Sequence, residues 1–179
     1  MSGTRIDHWT GDASQWPRYA ENAALLYPAE LSPLRQILHE HEDADLFVVS
    51  LGANDVYMGI EAEMLSQRII NAEHIFHKAN KPLIWVAHAW YRRQRMDSAA
   101  KEQSLSDLCL KGHKLAEAQL KGHPNTHFIY PRDYDQLMIY EDRGGSLHPP
   151  ASVHRDFLRQ TSGELLSFIG AQVVPNRSP

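Results

Sequence analysis

Three short apolar runs set the strongest limit on what this chain can fold into: "LFVVSL" (46–51), "LIWVAH" (83–88) and "THFIYP" (126–131). Each is short and bounded by turn-forming residues: the first, with its β-branched content, reads as a strand buried on both faces, the second as another buried run, and the third as a short strand. Between and after them lie segments with helical periodicity. Over 60–80, Leu65, Ile69, Ala72, Phe76 and Ala79 recur at three- and four-residue steps and make one apolar stripe. "NKP" closes that segment, because proline disfavours helix at the residue before it. A second helical stretch covers 98–121, with Leu105, Leu108, Gly112, Leu115 and Leu120 near one side, and "GHPN" breaks it. A third covers 151–169, with Val153, Phe157, Leu158, Leu165 and Phe168 as its apolar set.

Strand and helix in strict alternation imply parallel strands joined by right-handed crossovers, with helices covering the sheet. The predicted architecture is a single α/β domain over 1–179: a helical N-terminal part (1–45), a βαβαβα core (46–170) and a tail (171–179). In the first part, "SPLRQILHEHE" reads as a helix with Ser32 as N-cap and Pro33 at its first position. No strand is predicted before residue 46.

Composition narrows the function classes. With 179 residues, 42% of them hydrophobic, the chain is long enough for a real core. Its net charge is −4, and no basic block runs along it, which argues against nucleic acid as a partner. No run approaches the ~20 apolar residues that span a bilayer, and "MSGTRIDHWTGD" lacks a signal-peptide core, so no membrane partner is expected and a cytoplasmic location is the default. The one cysteine, Cys109, forms no intramolecular disulfide. Eleven histidines are scattered without HExxH or paired CxxC spacing, so no metal and no other cofactor is expected, and the histidines read as surface polar residues.

Ligands of open parallel sheets bind outside the carboxyl ends of the strands. Three exits are available here. The first is "SLGAND", where Gly52 permits a tight turn and close backbone approach, Asn54 presents an amide donor, and Asp55 caps the following helix or pins the loop. The same letters also describe an ordinary turn and helix cap. The second exit, "VAHAWYRRQR", carries His88, Trp90, Tyr91, Arg92, Arg93 and Arg95; the third, "YPRDYDQL", carries Arg132 and leads towards "GGSLHPP". His88 would line the cleft, and Trp90 with Arg92 would form a binding lip or a solvated loop. Arginines at two exits would also suit a phosphate, although no GxGxxG or GxxxxGK[ST] pattern occurs.

"VVSLGAND" resembles the third conserved block of the SGNH/GDSL hydrolases, and "GGSLHPPASVHRDFL" resembles their last block. The resemblance covers roughly 44–170. It implies a flavodoxin-like three-layer α/β/α sandwich that hydrolyses or transfers acyl groups from a small-molecule ester or acylated sugar without a metal. By that resemblance Asn54 is an oxyanion-hole side chain, Gly52 belongs to its supporting loop, and His148 is the general base that takes a proton from a serine.

The pattern departs from the family in two places. The nucleophile block would fall in "TGDASQW", where Gly11 and Asp12 match, Ala13 stands at the serine position and Ser14 follows one residue late. Three residues before His148, where the family carries its aspartate, stands Gly145; Asp142 lies six before. Loss of the carboxylate from a true triad costs about 10⁴ in rate. Three readings stay open: a divergent acyl hydrolase or acyltransferase using Ser14 or another serine, a fragment of a longer enzyme, and a non-catalytic binding domain for a sugar, a phosphorylated ligand or a protein.

Overall fold

A computed structural model describes residues 5–11, 32–87, 99–130 and 151–173. The elements in chain order are α1 (Ile6–Thr10), α2 (Pro33–Glu40), β1 (Phe47–Val49), α3 (Ala53–Tyr57), α4 (Ala62–Lys78), β2 (Leu83–Val86), α5 (Ala99–Gln119), β3 (Thr126–Ile129) and α6 (Ala151–Val173). The three strands form a parallel sheet in the order β1-β2-β3. Val48 pairs with Ile84 and Ile84 with His127, which fixes the register across all three.

Because side chains alternate along a strand, the register sorts them into two layers. Leu83, Trp85 and Phe128, all buried, face the main core with Phe47 and Val49, where Phe47 meets Phe76 of α4 at 5.4 Å and Trp85 meets His113 of α5 at 6.5 Å. On the other face His127 stacks on Phe168 of α6 at 5.0 Å and its Nε2 lies 2.9 Å from Glu164 Oε1. The crossover helices α4 and α5 therefore share one face and α6 lies on the other, giving an α/β/α sandwich as expected. The outer strand differs from expectation. Val48 of β1 is 57% exposed, whereas β3 buries Phe128 on the core face and Ile129 on the face of α6, so among the described strands β1 is the one left open on one face.

Helix α4 shows why these boundaries fall where they do. Leu65, Ile69, Ala72 and Phe76 are buried as their spacing predicts, whereas Ala79 is the exposed C-cap. The stop is not the work of Pro82. Asn80 adopts φ 53°, its N–H donates to the His77 carbonyl (2.9 Å), and the Lys81 N–H donates to the Phe76 carbonyl (3.0 Å). This is a Schellman closure with asparagine at the left-handed position, and it satisfies two carbonyls before the proline is reached.

On α5 the buried line is Cys109, Gly112, His113, Ala116 and Leu120, turned from the predicted leucine line, so Leu105, Leu108 and Leu115 are only half-buried. Gly112 explains the turn. A Cβ there would lie 2.6 Å from Leu65 Cδ2 and 3.1 Å from the Ala62 carbonyl oxygen, so only glycine lets α4 and α5 approach this closely. Among the described side chains of α6 the buried one is Thr161, with its hydroxyl on the Phe157 carbonyl (2.9 Å), while Leu158, expected in the core, is 57% exposed. In α2, Ser32 holds the N-cap position and Pro33 follows, but the serine hydroxyl makes no cap hydrogen bond.

Candidate active site at the first strand exit

β1 ends at Val49, and the chain leaves it through Ser50, Leu51 and Gly52. Gly52 has φ +115°, a conformation side chains with a Cβ rarely adopt, and it is the N-cap of α3. A Cβ at this position would also press on Leu65 Cδ1 (3.2 Å) and His113 Cε1 (3.4 Å). The glycine is thus required twice, by the backbone and by the packing beneath. The turn that follows is a short helix, which the sequence reading missed, and Asn54 is its second residue, half-buried at the carboxyl edge of the sheet.

Of the two roles expected of Asp55, capping the helix or pinning the loop, the structure shows the second. No side-chain cap bond forms at α3. The carboxylate has no solvent exposure; its Oδ2 accepts from the Ile6 N–H (3.0 Å) and its Oδ1 from Arg68 Nη1 (2.6 Å). With both oxygens engaged and no exposure, Asp55 cannot reach a ligand, so its expected place among the substrate contacts is corrected to that of an anchor. It pins the start of α1 and the first half of α4 to the turn that carries Asn54. Burial pushes the Asp55 carboxyl above the usual carboxylate range, opposed by Arg68 and the Ile6 N–H. Arg68 continues the chain of charges to Asp7 Oδ2 (2.8 Å), which Arg5 Nη2 also meets (3.2 Å).

Two histidines read as surface residues are buried here. His8, on α1, takes the Arg5 N–H on Nδ1 (3.2 Å), and burial lowers its pKa, against the pull of Asp7. His113 lies beneath Gly52; its Nδ1 donates to the Cys109 carbonyl (2.8 Å), and its Nε2 lies towards the Leu51 backbone without a well-formed hydrogen bond. Burial lowers the His113 pKa, against the two backbone contacts at Cys109 and Leu51, so a neutral ring fills the floor of the turn. Cys109, fully buried beside it, has its thiol pushed up to about 12, mainly by burial. It is no nucleophile at neutral pH.

The structure therefore brings together Gly52, Asn54 and Asp55 of the expected site. Ser14, His88, Trp90, Arg92, Asp142 and His148 lie outside the described residues, as do Tyr91, Arg93, Arg95 and Arg132. The sequence reading missed Arg5, Asp7, His8, Arg68 and His113. Arg68 had one signal: a charged residue three positions after Leu65, beside the apolar stripe, needs a partner if it is covered. Helix α1 meets the turn through Ile6, beside Leu65 of α4 and His113 of α5; its N-cap is Arg5, whereas Ser14 falls beyond Gly11, where α1 ends.

No protein-family model matches this chain, and no curated protein matches it either. Among solved structures it is similar to the salicylyl-acyltransferase SsfX3 from a tetracycline biosynthetic pathway. The TM-score is 0.50 at 19% identity, over 75% of this chain and 40% of that one. The likeness is one of fold, and the chain spans well under half the length of that protein. Among the described residues no helix is long and apolar enough to cross a membrane.

Proposed function

We propose that this domain is an acyl-ester hydrolase or acyltransferase of SGNH type, acting on a small ester or an acylated carbohydrate. The observation that carries the reading is the turn after β1. A left-handed glycine sets Asn54 at the carboxyl edge, and a fully buried aspartate locks that turn to α1 and α4. A side-chain amide held in this way suits an oxyanion that develops as an acyl carbon becomes tetrahedral. Its N–H would need to lie ~2.7–3.1 Å from that oxygen. His148 serves as general base and a serine as nucleophile, with Ser14 the first candidate and Asp142 the candidate orienter of the histidine. The fold shared with an acyltransferase supports the same reading. The test is hydrolysis of p-nitrophenyl acyl esters, with and without an alcohol or sugar acceptor. Asn54→Ala should lower kcat by about 10²-fold or more with an unchanged circular dichroism spectrum. Full activity in that variant removes the oxyanion assignment.

A second reading, a non-catalytic domain that binds an anionic ligand, is favoured by one observation. The residue that opens α1, next to the Ile6–Asp55 bond, is Arg5 rather than a hydroxyl-bearing residue. Salt-sensitive binding of phosphorylated sugars by protein inert towards esters would select it.

A further inference from the structure

We infer that Glu73, His74 and His123 form a binding site for one divalent transition-metal ion of the zinc type, at the amino edge of the sheet, away from the turn that carries Asn54. Glu73 and His74 sit on α4; His123 sits in the connection between α5 and β3. One ligand atom from each lies within 4.8 Å of the others. Sequence spacing gave no sign of the site because its members are split between an adjacent pair on one helix and a single residue some fifty positions on. Only the parallel crossover through α5 brings them together.

The donor set suits the ion. Two imidazoles and a carboxylate match zinc, which takes nitrogen at about 2.0–2.1 Å and carboxylate oxygen at about 2.0–2.2 Å. Bonds of that length at tetrahedral angles place ligand atoms ~3.3 Å apart, so the three must draw closer than they stand. His74 is exposed and free to rotate inwards; the other two are held. Glu73 has no solvent exposure. Its Oε1 lies 2.8 Å from His123 Nδ1 and accepts from the Thr126 hydroxyl at 2.7 Å. Its Oε2 is buried with no hydrogen-bond partner among the described residues. A buried carboxylate oxygen without a partner is costly, and a cation beside it removes that cost. His77 stacks on the His123 ring at 4.3 Å, and His74 lies 5.8 Å from the same ring, so the His123 imidazole is fixed in place.

Such an ion would tie α4 to the entrance of β3, far from the strand exits, and its effect would be on stability rather than on the acyl chemistry. The experiment is zinc titration of tag-free full-length protein, freed of metal with a chelator, by calorimetry and by thermal unfolding. One zinc ion per chain is expected. At free zinc of 100 times Kd the melting midpoint should rise by about 5–10 °C. His74→Ala, a surface change that leaves the Glu73 bonds intact, should weaken binding by tenfold or more and abolish most of the thermal shift. Glu73→Gln, which keeps an oxygen for Thr126 but removes the charge, should do the same. A stoichiometry well below one, no thermal shift, or His74→Ala binding as tightly as the unaltered chain would overturn the assignment.

Discussion

Replacing Arg68 with methionine removes the cation that, among the described residues, pairs with the buried Asp55 carboxylate. Asp55 is completely buried and Arg68 side-chain exposure is 15%, with 2.6 Å between Nη1 and Oδ1. Breaking such a pair from one side costs about 3–5 kcal/mol, because the partner is left charged and uncompensated. The slight exposure of Arg68 and the remaining Ile6 N–H favour the lower end, about 3 kcal/mol. A chain of this size loses about 2–4 °C of melting midpoint per kcal/mol, so a fall of ~6–12 °C is expected. The cost also depends on pH, and its sign follows from the raised pKa of Asp55. Without Arg68 that pKa rises further. Between the ordinary aspartate pKa and the folded value, the folded chain holds a proton that the unfolded chain has released, so stability falls as pH rises through that window. The penalty relative to the unaltered protein should be largest at neutral pH and above, and shrink towards pH 5. Urea unfolding followed by tryptophan fluorescence at pH 5 and pH 8 measures both. The double variant Asp55→Asn/Arg68→Met should recover part of the loss, since no bare charge then remains. A penalty below about 1 kcal/mol, the scale of an exposed ion pair, or one equal at both pH values, would refute the anchor role of Asp55.

Gly112→Ala should destabilise the fold by about 1–3 kcal/mol, the cost of overpacking, because its Cβ would meet the fully buried Leu65 and the Ala62 carbonyl; chemical denaturation reads this directly. Gly52→Ala combines a left-handed backbone with contact on Leu65 and His113. It should cost about 1–3 kcal/mol and lower esterase activity, because the turn that presents Asn54 shifts. Cys109, buried and with its thiol raised to about 12, should resist iodoacetamide at pH 8 in the native protein and react on unfolding in urea, as intact mass will show.

The strands and crossover helices were legible because each carries its own short-range signal: continuous apolar runs for β1, β2 and β3, and a regular stripe for α4. The sandwich follows from their order. The local signal failed where a tertiary contact decided the outcome. The buried line of α5 was read through its leucines, but the close approach at Gly112 sets its orientation and carries His113 inward. Val48 looked buried because an apolar run does not say whether its strand lies at an edge. Asp55 was left between helix cap and loop pin because nothing in "GAND" points to Ile6, nearly fifty residues earlier in the chain, or to Arg68. The glycine and asparagine of that turn were legible from the motif they resemble, whereas the charges that hold it were not. Those charges are spread over α1, α3 and α4, and only the folded chain brings them together.

The most direct test of the acyl-transfer account is intact mass after treatment with a fluorophosphonate, followed by peptide mapping of the adduct. The account predicts a single adduct on one serine, lost in His148→Ala and formed about 10²-fold more slowly in Asn54→Ala. Folded protein that takes up no adduct would contradict it and leave the anion-binding reading in its place.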